Sequence, residues 1–221
     1  MLVKTSKRNK EKFSFQKRQA REKRACGMCV ACAFLPLLLA SAVSADYLLT
    51  FQTDVPVSDG SVVINVTEAW APLGAAHLKA VVADNFFSGA AFFRVVPNFV
   101  VQFGISGTPA ENTKWSTPIK DDPVASSNLA GTITYATAGP NTRTTQLFIN
   151  LVDNARLDPQ GFAPFGRVIQ GMDVMRAVYN PTPGDAGGVD QGNYSTKGDA
   201  WIRKQYPGIN FITSANVTSA L

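Results

Sequence analysis

Histidine and cysteine are nearly missing from this chain. Its 221 residues include one histidine, His77, and three cysteines, Cys26, Cys29 and Cys32, all before residue 33. Zinc sites are built mainly from Cys and His, so the chain beyond residue 32 lacks the ligands for one and can form no disulfide. A Ser-His-Asp triad would have to use His77, which sits in a helical pattern far from any serine loop signal; it reads as structural. No G-x-S-x-G elbow is present. "GDAGG" at 184–188 is glycine-rich but matches neither the P-loop nor the dinucleotide fingerprint, and reads as a plain loop. Charge is sparse too. With 17% charged and 45% hydrophobic residues, the composition suits a packed core and not a disordered chain. Any chemistry must run without metal, nucleophile or nucleotide, and no cofactor is expected.

The formal charge of +5 is unevenly spread. Residues 1–24 hold ten Lys or Arg and two Glu, leaving eleven basic and fourteen acidic residues for the rest. A nucleic-acid-binding surface on the remainder is therefore not expected. The cysteines of "ACGMCVAC" have a spacing that invites a metal cluster, but they lie in an apolar run ending "FLPLLLASAVSAD". A basic segment, an apolar segment and the small pair Val43 and Ala45 together read as a secretory signal peptide over 1–45. Cleavage after Ala45 would leave a domain over 46–221, in the endoplasmic reticulum lumen or secreted. Three alternatives stay open: a retained anchor, since 25–45 is about long enough to span a bilayer; a nuclear-localisation patch in the basic segment; and a start at Met28. A membrane partner is expected only if the segment is retained. Sequons stand at Asn65, Asn193 and Asn216.

What is abundant is short β-rich stretches. "YLLTFQTDV", "GSVVINVTEAW", "AAFFRVVP", "NFVVQFG", "GTITYAT", "TQLFINL", "FAPFGRVI" and "NFITSANV" read as eight strands. Asp59-Gly60 is a hairpin signal. "APLGAAHLKAVVADN" and "GMDVMRAVYN" read as two helices. The class is mainly β, and many short strands at close spacing point to a closed or nearly closed antiparallel barrel.

One strand-rich stretch carries an unexpected residue: Arg94, in "FFRVVPNFVVQF". An amphipathic strand could simply face it to solvent. The surrounding blocks suggest otherwise. "FFRVVPNFVVQFG", "GTITYATAGPNTRTTQLFIN" and "LDPQGFAPFGRVIQGMDV", in this order and with these gaps, resemble the three core blocks of the cyclophilin-type peptidyl-prolyl cis/trans isomerases. The likeness runs from about Leu48 to Val217, the tail resembling the extended ending of one subgroup. It implies an eight-stranded antiparallel closed β-barrel with two capping α-helices. It implies proline-containing polypeptides as partners, binding of the inhibitor cyclosporin, and action as a monomer.

The resemblance also implies a site. Arg94, Phe99 and Gln102 match the catalytic positions: the groove arginine, the floor of the proline pocket and the glutamine that holds substrate backbone. Val100, Ala136, Thr137, Ala138, Gln146, Phe148, Arg156, Leu157 and Phe162 match groove and pocket positions. The physics is coherent. Rotation about an X–Pro bond faces a barrier of about 18–20 kcal/mol from amide resonance. A fixed donor aimed at the prolyl nitrogen favours the twisted form, in which that nitrogen regains its lone pair, over the planar ground state. The alternative is a weakly active module of the same fold that only binds proline segments.

Departures from the pattern are local. Thr137 stands for a common Asn and Phe93 for a frequent His. Phe162 stands for a pocket His with one extra residue before it, and Arg156 for the Trp or His that borders the groove. The last substitution predicts weakened cyclosporin binding.

Overall fold

The structure, a computed structural model, describes residues 46–220. The expected signal segment, 1–45, lies outside the described residues. Among those described, no helix is long and apolar enough to cross a membrane.

The elements are β1 (Tyr47–Thr53), β2 (Ser61–Val66), α1 (Pro72–Ala83), β3 (Ala90–Ala91), β4 (Arg94–Val96), β5 (Val100–Phe103), α2 (Pro109–Lys114), β6 (Thr132–Tyr135), β7 (Leu147–Asn150), β8 (Pro164–Gln170), α3 (Met172–Ala177), α4 (Gln191–Gln205) and β9 (Phe211–Ser219). The strands form one sheet in the order β3-β9-β1-β2-β8-β6-β7-β5-β4, antiparallel throughout. Alternation along β1 buries Tyr47, Leu49, Phe51 and Thr53, and along β2 Val62, Ile64 and Val66. This period of two turns one face of the sheet into a core. At its centre Phe51, Phe87, Phe92 and Phe103 meet edge to face, with ring centres 5.3–5.5 Å apart for the Phe51–Phe103, Phe51–Phe87 and Phe92–Phe103 pairs, a geometry the ring quadrupoles favour.

The eight expected strands become nine because "AAFFRVVP" is not one strand. Its first part, β3, pairs with β9, and its second, β4, pairs with β5. These are the two ends of the hydrogen-bond order, yet only Phe92 and Phe93 separate them along the chain. Three residue steps span at most about 11 Å, so the sheet must curl until its edges lie side by side. The barrel is closed by a piece of covalent chain and not, as expected, by a continuous ladder.

The expected pair of helices is present as α1 and α3. Both bury apolar residues in the main core, among them Leu78, Val81, Val174 and Met175. Two further helices, α2 and α4, were not legible as such. In α4 the apolar residues are few, and the helix begins where Asp190 accepts from the Asn193 backbone N–H at 2.8 Å, a typical N-cap. Non-helical Gly198 divides it. With Phe93, Ile105, Val189, Tyr194, Ile202, Ile209 and Phe211 this tail forms a second apolar cluster. Asn193, one of the three sequon asparagines, lies in the first turn of α4.

Candidate active site

The register of four strands builds the site. Across β4, β5, β7 and β6, Val95, Val101, Ile149 and Ile133 are partners in one row and turn inward to the core. In the next row Arg94 faces Gln102, Gln102 faces Phe148, and Phe148 faces Thr134. The pleat sends this row to the opposite face. Arg94 is thus carried on the outer surface of the barrel by the same alternation that fills its interior.

Phe99 belongs to the turn between β4 and β5. Its N–H donates to Val96 O at 3.0 Å, and Asn98 takes a φ of 59°, a left-handed conformation that Asn tolerates. Val100, Phe148 and Leu157 form a small separate apolar cluster, with Phe99, Ala136 and Phe162 against it. Phe162 meets Phe148 edge to face at 5.8 Å. Leu157 lies on a short 3-10 helix, Ala155–Gln160. These side chains wall a pocket of about 300 Å³ that Arg94, Gln102 and Thr137 also line. Ala138 and Gln146 line an adjoining pocket of about 280 Å³, which shares Gln102, Ala136 and Thr137 with the first.

The polar side of the pocket is a relay. Arg94 Nη1 donates to Gln102 Oε1 at 2.9 Å, and Gln102 Nε2 donates to Gln146 Oε1 at 2.9 Å. The Arg94 Nε–H donates to the Ala186 carbonyl at 2.6 Å. Burial pushes the guanidinium's pKa down from its ordinary value, but an arginine starts so high that it keeps its charge at neutral pH. Gln102 is almost fully buried. One of its two amide hydrogens is committed to Gln146, which leaves the other for an incoming acceptor.

Two cations share Phe99: Arg94 Cζ lies 5.9 Å from the ring centre and Arg156 Cζ 4.7 Å. Arg156 is exposed and stands at the rim, where a bordering residue was expected. Thr137 is turned into its own loop. Its hydroxyl pairs with Thr142 Oγ1 at 2.8 Å and contacts the Gly139 carbonyl. Phe93 finds its explanation behind the site, where it is fully buried against Tyr194 of α4.

Beneath the pocket lies a buried amide network that the motifs did not reveal. Asn154 Nδ2 donates to the Phe99 carbonyl at 3.1 Å and to Asn150 Oδ1 at 2.8 Å. Asn128 Nδ2 donates to the Phe162 carbonyl and to Asp158 Oδ1, both at 2.8 Å. Buried asparagines in a β-rich stretch were the available signal. Ala186 offered none, since it acts through its backbone. Gln160 also lines the first pocket, and Thr142, Thr144 and Gln191 the second; none of these four was among the expected site residues.

An arginine held at the edge of an apolar pocket, on the outside of a curled antiparallel sheet, defines a class. The family model described as "Cyclophilin type peptidyl-prolyl cis-trans isomerase/CLD" matches residues 48–199. The chain belongs to the cyclophilin-type peptidyl-prolyl cis-trans isomerases, enzymes that rotate the bond preceding a proline. It is 36% identical over 146 residues to a peptidyl-prolyl cis-trans isomerase of Acinetobacter baylyi, covering 62% of this chain and 77% of that one. It is 32% identical over 153 residues to peptidyl-prolyl cis-trans isomerase A of Dickeya dadantii, covering 66% and 80%. In fold it is similar to a crystal structure of a Cryptosporidium parvum cyclophilin type isomerase. The TM-score is 0.59 at 16% identity, over 80% of this chain and 99% of that one.

Proposed function

We propose that this isomerase acts on proline-containing polypeptides in the secretory pathway and assists their folding, with Arg94 as the group that lowers the barrier. The observation that supports the catalytic part is the relay. Arg94 is tied at Nε and Nη1 by the Ala186 carbonyl and Gln102 beside a largely apolar pocket of about 300 Å³, roomy enough for a proline ring. The ring would rest among Phe99, Val100, Phe148 and Leu157. The Gln102 hydrogen that remains would hold a backbone carbonyl of the substrate. Arg94 would donate to the prolyl nitrogen as the amide twists, where the acceptor strength rises. Donors fixed before the substrate arrives need no reorganisation in the transition state. Phe162 and Ala136 would complete the pocket. Thr137, Ala138 and Gln146 would shape the adjoining subsite and Arg156 the rim. The unit acts as a monomer and uses no cofactor.

Location rests on sequence alone, on the basic and apolar head over 1–45 and its cleavage pattern. Expression in a secretory host, followed by intact-mass and glycosidase analysis, checks this. The expected product begins near Asp46 and loses mass on deglycosylation. A product that retains Cys26 to Cys32 would favour the anchored form. For the activity, a peptide isomerisation assay separates the enzyme from a binding module: catalysed cis-to-trans conversion is expected, and binding without conversion would assign the chain to the module.

A further inference from the structure

Arg94 is a long side chain on a strand at the end of the ladder, and its stem alone would not fix the guanidinium. Gln102 on the neighbouring strand holds Nη1, and Nε is held by a loop 92 residues away in sequence. Residues 182–190 lie over the start of β4. The Val189 N–H donates to the Phe93 carbonyl at 3.0 Å, setting the loop's register against the strand. Beyond it, the Tyr194 hydroxyl accepts from the Ala91 N–H at 2.9 Å, and Phe93, Val189 and Tyr194 are buried in one apolar cluster. The loop also braces itself. Asp185 N–H donates to Thr182 O at 3.0 Å, and the Asp185 carboxylate accepts from Gly187 N–H at 2.7 Å. The result presents the Ala186 carbonyl to Arg94 Nε.

Gly188 is where the loop and the arginine meet. Its φ is 79°, a left-handed value costly for residues with a Cβ. A Cβ placed on it would lie 2.6 Å from Arg94 Cβ, 2.9 Å from Arg94 Cγ and 2.8 Å from Phe93 O. These are separations that real Cβ contacts do not reach, so a side chain there must displace the loop or the Arg94 stem. The bare glycine packs against that stem, while the carbonyl two residues earlier holds Nε.

We propose that residues 182–190 are a positioning element for Arg94, with Gly188 as its contact residue: they set the plane and reach of the guanidinium and do not themselves touch the prolyl peptide. This rests on the reading of Arg94 as the catalytic donor. It gives the "GDAGG" stretch a role that no nucleotide motif gave it. Small displacements of a catalytic donor cost rate more than binding.

The test is a double-mutant cycle on the full chain, reading isomerisation kcat/KM, the KM of a proline peptide and the thermal midpoint. Gly188→Ala should lower kcat/KM roughly tenfold to a hundredfold with KM little changed. In an Arg94→Ala background the same change should do nothing further, because there is no guanidinium left to misplace. Asp185→Ala, at an exposed position, should show the same pattern in weaker form, and it decides the matter if Gly188→Ala does not fold. Equal losses in both backgrounds, or no loss in either loop variant while Arg94→Ala is slow, would overturn the positioning role alone. Wild-type rate in Arg94→Ala itself would overturn the catalytic reading, and the proposal with it.

Discussion

Two guanidiniums approach the Phe99 ring, and they differ in what holds them. Arg94 is tied by Ala186 and Gln102, whereas Arg156, an exposed residue, lies over the ring with its Cζ 4.7 Å from the centre. An aromatic residue at the Arg156 position would add a flat apolar wall and, for tryptophan, an N–H donor. Cyclosporin, a large apolar ligand, should therefore bind more weakly here than to a relative with that wall, by on the order of 1–3 kcal/mol. Arg156→Trp should recover part of the difference in a calorimetric titration. Wild-type binding as tight as that of a Trp-bearing relative would refute the role given to the rim. Of the single residues, those with side-chain chemistry were legible from the motif blocks: Arg94, Gln102, Phe148, Leu157 and Phe162 all come together at one pocket. Ala186 was not, because a backbone carbonyl leaves no trace in residue identity.

The first helix depends on a residue far from it in sequence. No side chain of its own caps α1. Instead the Asp122 carboxylate accepts from the N–H groups of Leu73 at 3.0 Å and Gly74 at 2.8 Å, next to the positive end of the helix. The same carboxylate pairs with buried Arg143 at 3.1 Å, which also contacts Asp121 and the Tyr135 ring. Asp122→Ala would strip two backbone donors and leave a buried cation short of a partner. The expected loss is about 3–5 kcal/mol in chemical denaturation. A loss below about 1 kcal/mol would show that water or Asp121 substitutes. At this level the sequence disclosed strand positions better than strand limits. Period-two burial marked β1 and β2 clearly, whereas the break at Phe92–Phe93 depends on where each half finds a partner. Helix α4 hid because its stabilising face is small and its cap, Asp190, sits in a stretch rich in glycine and proline.

The fold as a whole closes through its ends: β9 lies between β1 and β3, and two residues carry the chain from one edge of the sheet to the other. Near-neutral pH dependence of stability then turns on His77, a half-buried residue that lies edge to face with Trp115 at 5.5 Å with its Nε2 buried and unpartnered. Burial holds its pKa below the ordinary value, a backbone hydrogen bond at Thr144 partly opposes this, and the nearby Arg143 adds to the lowering. The unfolded chain then binds the proton more readily than the folded one. Stability is full above the unfolded value of about 6.5 and declines as pH falls toward the lower folded value. Substituting His77→Phe should flatten that decline in thermal melts between pH 7 and 5, and an unchanged slope would assign it to other groups. No such dependence is expected of the rate, because the arginine does not titrate there.

The most direct measurement compares Arg94→Ala with Phe99→Ala, reading isomerisation kinetics and peptide affinity side by side. A donor used only in the twisted state predicts that Arg94→Ala loses roughly a hundredfold or more in kcat/KM while keeping its peptide affinity. Arg94→Lys should fail to restore the rate, since a point charge lacks the fork. Phe99→Ala removes the pocket wall and should lose affinity together with rate. Near-wild-type rate in Arg94→Ala, or a loss of binding that accounts for the whole defect, would contradict the catalytic role given to this arginine.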